Sequence, residues 1–244
     1  MQKPQQIMKG MNIMSKCLLV ICLILFLPAF PSAAQDSVRV VLNEKLVPQA
    51  GSKVSDFVPK GWKIEQELRG HLNADSLEDI VLQLIEGKPE QNSKGEYQDR
   101  YRVLVILLKA PDGKYRRAAV AGKLIQCTGC GGVLGSGGAG ADLKIVKGVL
   151  LVSQLSGSRE ATDHLRRIRY DGQTGRFLLI GEDIDEYDRG TGKSVVTSRN
   201  YLTGQQVIEK KQFNQKLNKY VTLGKQSKEL DKKQISIEDV DYEK

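Results

Sequence analysis

The stretch YDGQTGRFLLIGEDIDEYDRGTGKSVVTSRNYLTGQQVIEKKQ, residues 170–212, decides the fold class. It contains three versions of one pattern, an aromatic residue, a Thr-Gly turn and a β-rich run, starting at Tyr170, Tyr187 and Tyr201. Spacings of 17 and 14 residues suit a β-meander in which each glycine takes the positive φ that closes a hairpin and each tyrosine packs at a strand end. Helical periodicity is missing from the whole stretch.

Working outward, the same grammar continues. WKIEQEL, DIVLQLI, RYRVLVILLK, DLKIV, GVLLVSQ and LRRIRY are short runs rich in β-branched and aliphatic residues, separated by Gly, Asp, Asn and Lys turns. Lys53–Phe57 fits a helical turn or two, ended by Pro59 and Gly61. The polar insert of residues 87–99 reads as an exposed hairpin loop. Residues 221–244 are densely charged with mixed sign and read as a partly disordered tail, with a short strand or helix around Ile235–Ile237 as the alternative. The expected architecture is all-β, an antiparallel meander or partial propeller-like packing of two sheets, in one domain over residues 35–220. A complete propeller needs more strands than the chain supplies.

The first 34 residues place the protein. Lys3, Lys9 and Lys16 precede the apolar run CLLVICLILFLPAF and the small residues PSAA, the order of a secretory signal peptide cleaved after Ala34. The apolar core is short for a bilayer span, and no second such run follows. A periplasmic or secreted location follows, with no membrane span after cleavage; an uncleaved anchor is the alternative reading.

The whole chain carries a formal charge of +8, three units of which belong to leader lysines. The remaining excess is too mild for a nucleic-acid binder with a basic stripe. Two histidines in the chain exclude a His-rich metal cage and an H-E-x-x-H helix. Past the leader, Cys127 and Cys130 are the cysteines left, in the sequence CTGC. In an oxidising compartment they are expected as a disulfide that shapes a loop. A thioredoxin-like role needs a helix starting at the first cysteine, and the glycine-rich GGVLGSGGAG that follows argues against one.

Residues 57–87, FVPKGWKIEQELRGHLNADSLEDIVLQLIEG, resemble the FG-GAP or VCBS type of extracellular repeat. In that family a strand leads into an acidic loop and then an apolar strand, and the loop oxygens hold calcium. The resemblance implies ligands at Asn73, Asp75, Leu77 through its carbonyl, and Asp79, with His71 where the first carboxylate belongs. His71 offers nitrogen to a cation that wants hard oxygen, and Ser76 replaces the glycine of the sharp turn. The expectation is a weak calcium site at most, or a retained turn in which Asp75 and Asn73 cap backbone amides. No other cofactor is expected.

Other chemistry is thin. GSGGAG at residues 135–140 matches a dinucleotide fingerprint, but a strand pattern follows it. GTGKS at residues 190–194 has the end of a phosphate loop without its leading glycine. Asp183 and Asp185 share one face of a strand and are the candidate acid and base of an envelope glycan hydrolase. The leading expectation is a non-enzymatic extracytoplasmic binding or scaffold module whose partner is an envelope component, an extracellular protein or a glycan.

Overall fold

The computed structural model describes residues 42, 44–135 and 140–243. The expected signal peptide and most of the GSGGAG motif lie outside them. Among the described residues the chain forms two antiparallel sheets that do not close into a barrel.

The smaller sheet contains β1 (Ala50–Gly51), β2 (Trp62–Gly70), β3 (Asp79–Glu86), β4 (Arg102–Lys109) and β5 (Tyr115–Ala121), in the order β1-β5-β4-β3-β2. Its central strands β3 and β4 are buried along almost their whole length, which explains why their sequences are continuous apolar runs. Ile80, Leu82, Leu84, Val103, Val105 and Leu107 face one way, onto Leu42, Val47 and Phe57 of the preceding segment. Val81, Leu104 and Ile106 face the other way, onto the second sheet. The segment below the first face includes a 3-10 turn at Val54–Phe57, where the sequence predicts a helical turn.

The larger sheet is a meander of β6 (Asp142–Val146), β7 (Val149–Gly157), β8 (Glu160–Asp171), β9 (Arg176–Asp188), β10 (Lys193–Asn200), β11 (Gln205–Asn214) and β12 (Lys219–Glu229), with β13 (Ile235–Ser236) paired to β9. Its near half covers the small sheet: Leu143, Leu150, Val152, Ile168, Phe177 and Leu179 complete the inter-sheet core. Its far half buries little. In β12 ten of eleven positions are exposed, and in β10 and β11 the buried residues are Ser194 and Gln206.

The repeated Thr-Gly pattern is the hairpin code of this meander. Asp171, Asp188 and Asn200 each accept the N–H of the glycine four residues on, at 2.8, 2.7 and 2.9 Å, and each side chain accepts further turn amides. Gly175, Gly192 and Gly204 sit at φ of 69°, 70° and 70°, a conformation closed to most side chains.

Three elements depart from the leading sequence reading. For the tail beyond residue 220, expected to be partly disordered or to hold a short strand or helix around Ile235–Ile237, the structure has the second arrangement: β12 runs on to Glu229, and after β13 a 3-10 turn at Ile237–Asp239 sets Ile237 and Val240 into the inter-sheet core. The charge density of the segment points to disorder, while Ile235 and Ile237 carry the apolar signal of the strand and turn. β5 is an additional strand, obscured by the arginines at its start. A single helical turn, α1 (Gly132–Gly135), follows the cysteines where no helix is expected. It persists because Gly131 O accepts both the Gly135 N–H at 3.1 Å and the Gly157 N–H at 2.8 Å, tying the turn to the end of β7. Glycine is needed at that closeness, since a Cβ on Gly135 would lie 2.9 Å from the Leu155 carbonyl oxygen.

Candidate functional site

The loop between β2 and β3 holds Asn73, Asp75 and Leu77, with Asp79 at the start of β3, and its residues are joined by hydrogen bonds. Asn73 Oδ1 accepts the Asp75 N–H at 3.1 Å, Asp75 Oδ1 accepts the Leu77 N–H at 2.8 Å, and Asp75 Oδ2 accepts from the Asn73 amide at 2.7 Å. His71 Nδ1 lies 3.0 Å from the Leu77 carbonyl and donates to it as the Nδ1–H tautomer. Asp79 is fully buried, and its two oxygens accept the backbone N–H groups of Leu72 at 2.9 Å and Lys109 at 3.0 Å. Burial lifts its carboxyl above the ordinary range, against the pull of those amides. Each oxygen that the calcium pattern would direct inward thus receives a donor from the protein. In this arrangement the residues form a capped turn whose oxygens are engaged by donors of the protein itself.

Cys127 and Cys130 form a disulfide. Cys127 is buried and Cys130 is exposed, with the Tyr242 hydroxyl 3.0 Å from its Sγ. The disulfide closes the loop after β5 on itself, and Tyr242, which also donates its N–H to the Lys123 carbonyl at 2.9 Å, links that loop to the C-terminal segment. Asp183 and Asp185 lie in β9 and share one of its faces, the one opposite the buried Glu182. Asp183 is bonded to Arg167, and although burial opposes it, the donors Arg167 and Ser198 hold its carboxyl below the ordinary value. That is opposite to the direction a proton-donating carboxyl requires. Asp185 accepts the Ser194 hydroxyl at 2.6 Å. The arginines near them are divided between faces: Arg166 is buried beneath the sheet, and Arg167 pairs with Asp183 on the other side.

A buried polar cluster lies under β8 to β11. Arg166, Glu182, Arg199 and Gln206 occupy one transverse row, each opposite the next in register. Glu182 accepts from His164 at 2.8 Å, from Arg199 at 2.6 Å and from the Tyr201 hydroxyl at 2.6 Å. Burial alone would raise the Glu182 carboxyl, but these donors outweigh it and hold it at about 2. Burial and the Glu182 charge push Tyr201 up to about 12. A carboxylate held so low is proton-free at neutral pH, and it gathers donors from β8, from β10 and from the turn after β10 at one point. The sequence reading misses the cluster because its members are scattered between positions 164 and 206 and meet only once the meander register is known.

A second network joins the sheets. Arg102, 2% exposed, makes a two-pronged pair with Glu65 at 2.7 and 2.9 Å, while Gln83 donates to Glu65 and accepts the Ala141 N–H. Gln154 spans from β7 to the segment after β5 through the Gln126 N–H and the Leu124 carbonyl.

The far half of the large sheet leaves apolar side chains exposed, as are Tyr97 and Val133 elsewhere among the described residues. Leu217, Tyr220 and Leu223, at 56%, 43% and 69% exposure, cluster on the β11–β12 hairpin. Residues 205–233 hold eight lysines and three acids, so positive charge concentrates on the same hairpin and the segment after it. No helix among the described residues is long and apolar enough to cross a membrane. Comparison with protein-family models, with characterised proteins and with solved structures finds no match for this chain.

Proposed function

We propose that this protein is a non-enzymatic extracytoplasmic binding or scaffold module that engages its partner through the far half of the large sheet. One observation carries the reading: β10 to β12 build a large ordered surface while adding almost nothing to the apolar core. Sheet formation costs conformational entropy of about 1–2 kcal/mol per residue, and strands that bury no apolar surface recover little of it inside the fold. The leader-like sequence of residues 1–34 and the Cys127–Cys130 disulfide support the location.

The test places a photoreactive amino acid at Thr222 on β12, and for comparison at Val146 on β6, in cells that produce the full-length chain. The expected outcome is an exported, leader-processed protein that forms discrete adducts from residue 222 and none from residue 146. Retention in the cytoplasm, or equal adduct patterns from both positions, contradicts the proposal.

A further inference from the structure

At one end of the large sheet the β9–β10 turn and the β11–β12 turn lie side by side and enclose an open cleft of about 770 Å³. The two turns are fixed to each other. The Phe213 N–H donates to the Gly192 carbonyl at 2.7 Å, and the Gln212 side-chain amide donates to the Thr191 carbonyl at 2.9 Å. The cleft is therefore a formed feature of the sheet.

Its lining has a consistent chemistry. Arg189 comes from one turn and Lys216 from the other, and no carboxylate lines the cleft. Arg189 spends one N–H on the Ser158 carbonyl at 3.2 Å and keeps the rest of its donors. The nearest acid in sequence, Asp188, is already neutralised: it accepts from Arg159 at 3.1 Å and caps the Gly190 and Thr191 amides. Phe213 supplies an aromatic surface, held by edge contact with Tyr220 at 5.4 Å between ring centres. Gln212 and Gln215 add side-chain amides at the rim.

Two cations, one aromatic ring and several amides in one open cleft are the groups that hold an acidic sugar: the ring packs the apolar face of a pyranose, the amides bond its hydroxyls, and the cations pair with its carboxylate. We propose that this cleft binds the anionic units of an acidic polysaccharide, a uronate being the simplest case. The inference rests on the binding-module reading and gives it a ligand class. A lipid surface fits less well, because the lysines of the hairpin point to both sides of the sheet. In the register with β11, Lys211 and Lys225 share the side of Glu209, while Lys210 and Lys228 share the side of Gln206. A planar membrane gathers its contacts on one side, whereas a chain-like polyanion can pass along the edge and meet both.

The test is calorimetric titration of the folded mature protein with trigalacturonate, with neutral maltotriose as the control. Trigalacturonate is expected to bind at least tenfold more tightly than maltotriose, and more weakly as salt rises. Arg189→Glu combined with Lys216→Glu is expected to weaken trigalacturonate at least tenfold without altering the melting temperature. Phe213→Leu should weaken it severalfold, and Lys63→Glu, on β2 of the other sheet, should leave it unchanged. Equal binding of the neutral sugar overturns the proposal, as does an unaffected double variant or an equal loss in Lys63→Glu. Binding to phosphatidylglycerol vesicles with no binding of trigalacturonate also overturns it, and assigns the hairpin to lipid. If adducts still form from residue 222 while trigalacturonate fails to bind, the ligand class is wrong and the binding-module reading stands.

Discussion

Glu182 bonds Arg199 at 2.6 Å beneath the large sheet, linking β9 to β10 at a point where the apolar core has ended. The pair is part of the buried polar cluster in which Glu182 also takes His164 and Tyr201 as donors. Such a link depends on charge, and its strength therefore depends on pH.

The sign follows from the direction of the Glu182 shift. The folded-state carboxyl is held at about 2 against an ordinary 4.5, so its contribution is present above about pH 4.5 and is lost as pH falls toward 2. Its size is on the order of 3 kcal/mol. Asp79, shifted upward, works in the opposite direction and offsets part of this loss. Urea denaturation at pH 7 and pH 3 should show the wild type losing stability on acidification, and Glu182→Gln losing less because it has already lost the charge. At pH 7, Glu182→Gln should cost about 3–5 kcal/mol, the range for breaking a buried pair.

Asp79 gives a test of the turn between β2 and β3. Both of its oxygens accept backbone amides, and asparagine can offer one acceptor while turning an amide donor toward the other N–H. Asp79→Asn should therefore destabilise the fold by about 1–3 kcal/mol. Chelator should leave the wild-type melting temperature within about 2 °C of its value in millimolar calcium, since a ligand near its dissociation constant adds less than about 1 kcal/mol. Loss of the fold in chelator would show that the loop holds calcium after all.

Removing the disulfide should matter little. Replacing Cys127 and Cys130 with serine opens a ring spanning three residues in sequence, for which the loop-entropy estimate is about 2 kcal/mol. The double variant should unfold cooperatively in urea at a slightly lower midpoint. Failure to fold would mean that the loop after β5 cannot dock without the bond.

The C-terminal segment is predicted to behave as core. Ile237 has no exposed surface and packs between the sheets, so Ile237→Ala should cost about 2–5 kcal/mol in urea denaturation. A cost below about 0.5 kcal/mol would restore the view of residues 221–244 as a loose tail.

The parts of the fold legible in the sequence are those where burial writes a pattern. β3 and β4 are covered on both faces and read as unbroken apolar runs, and the Asp or Asn, Thr and Gly of each hairpin read as turns because one side chain and one φ are required there. β5 is masked in the sequence by Arg117, whose guanidinium is taken up by the carbonyls of Glu44 and Val47, a use for a basic residue that local sequence does not signal. β12 leaves no apolar signature because it buries nothing; its place is set by the backbone ladder with β11. The same holds for candidate sites. The residues of the β2–β3 loop stand together in sequence and are legible there, whereas the cleft between Arg189 and Lys216 exists only through the pairing of β10 with β11.

The central claim is that β12 serves binding and not stability, and one paired measurement addresses it. Leu217→Ser and Leu223→Ser are introduced together into the exported protein carrying the photoreactive residue at position 222, and melting temperature and adduct yield are recorded on the same preparation. Both leucines are more than half exposed, so the melting temperature should move by no more than about 3 °C while the adducts disappear. Unchanged adducts, or a melting temperature that collapses with them, would contradict the account.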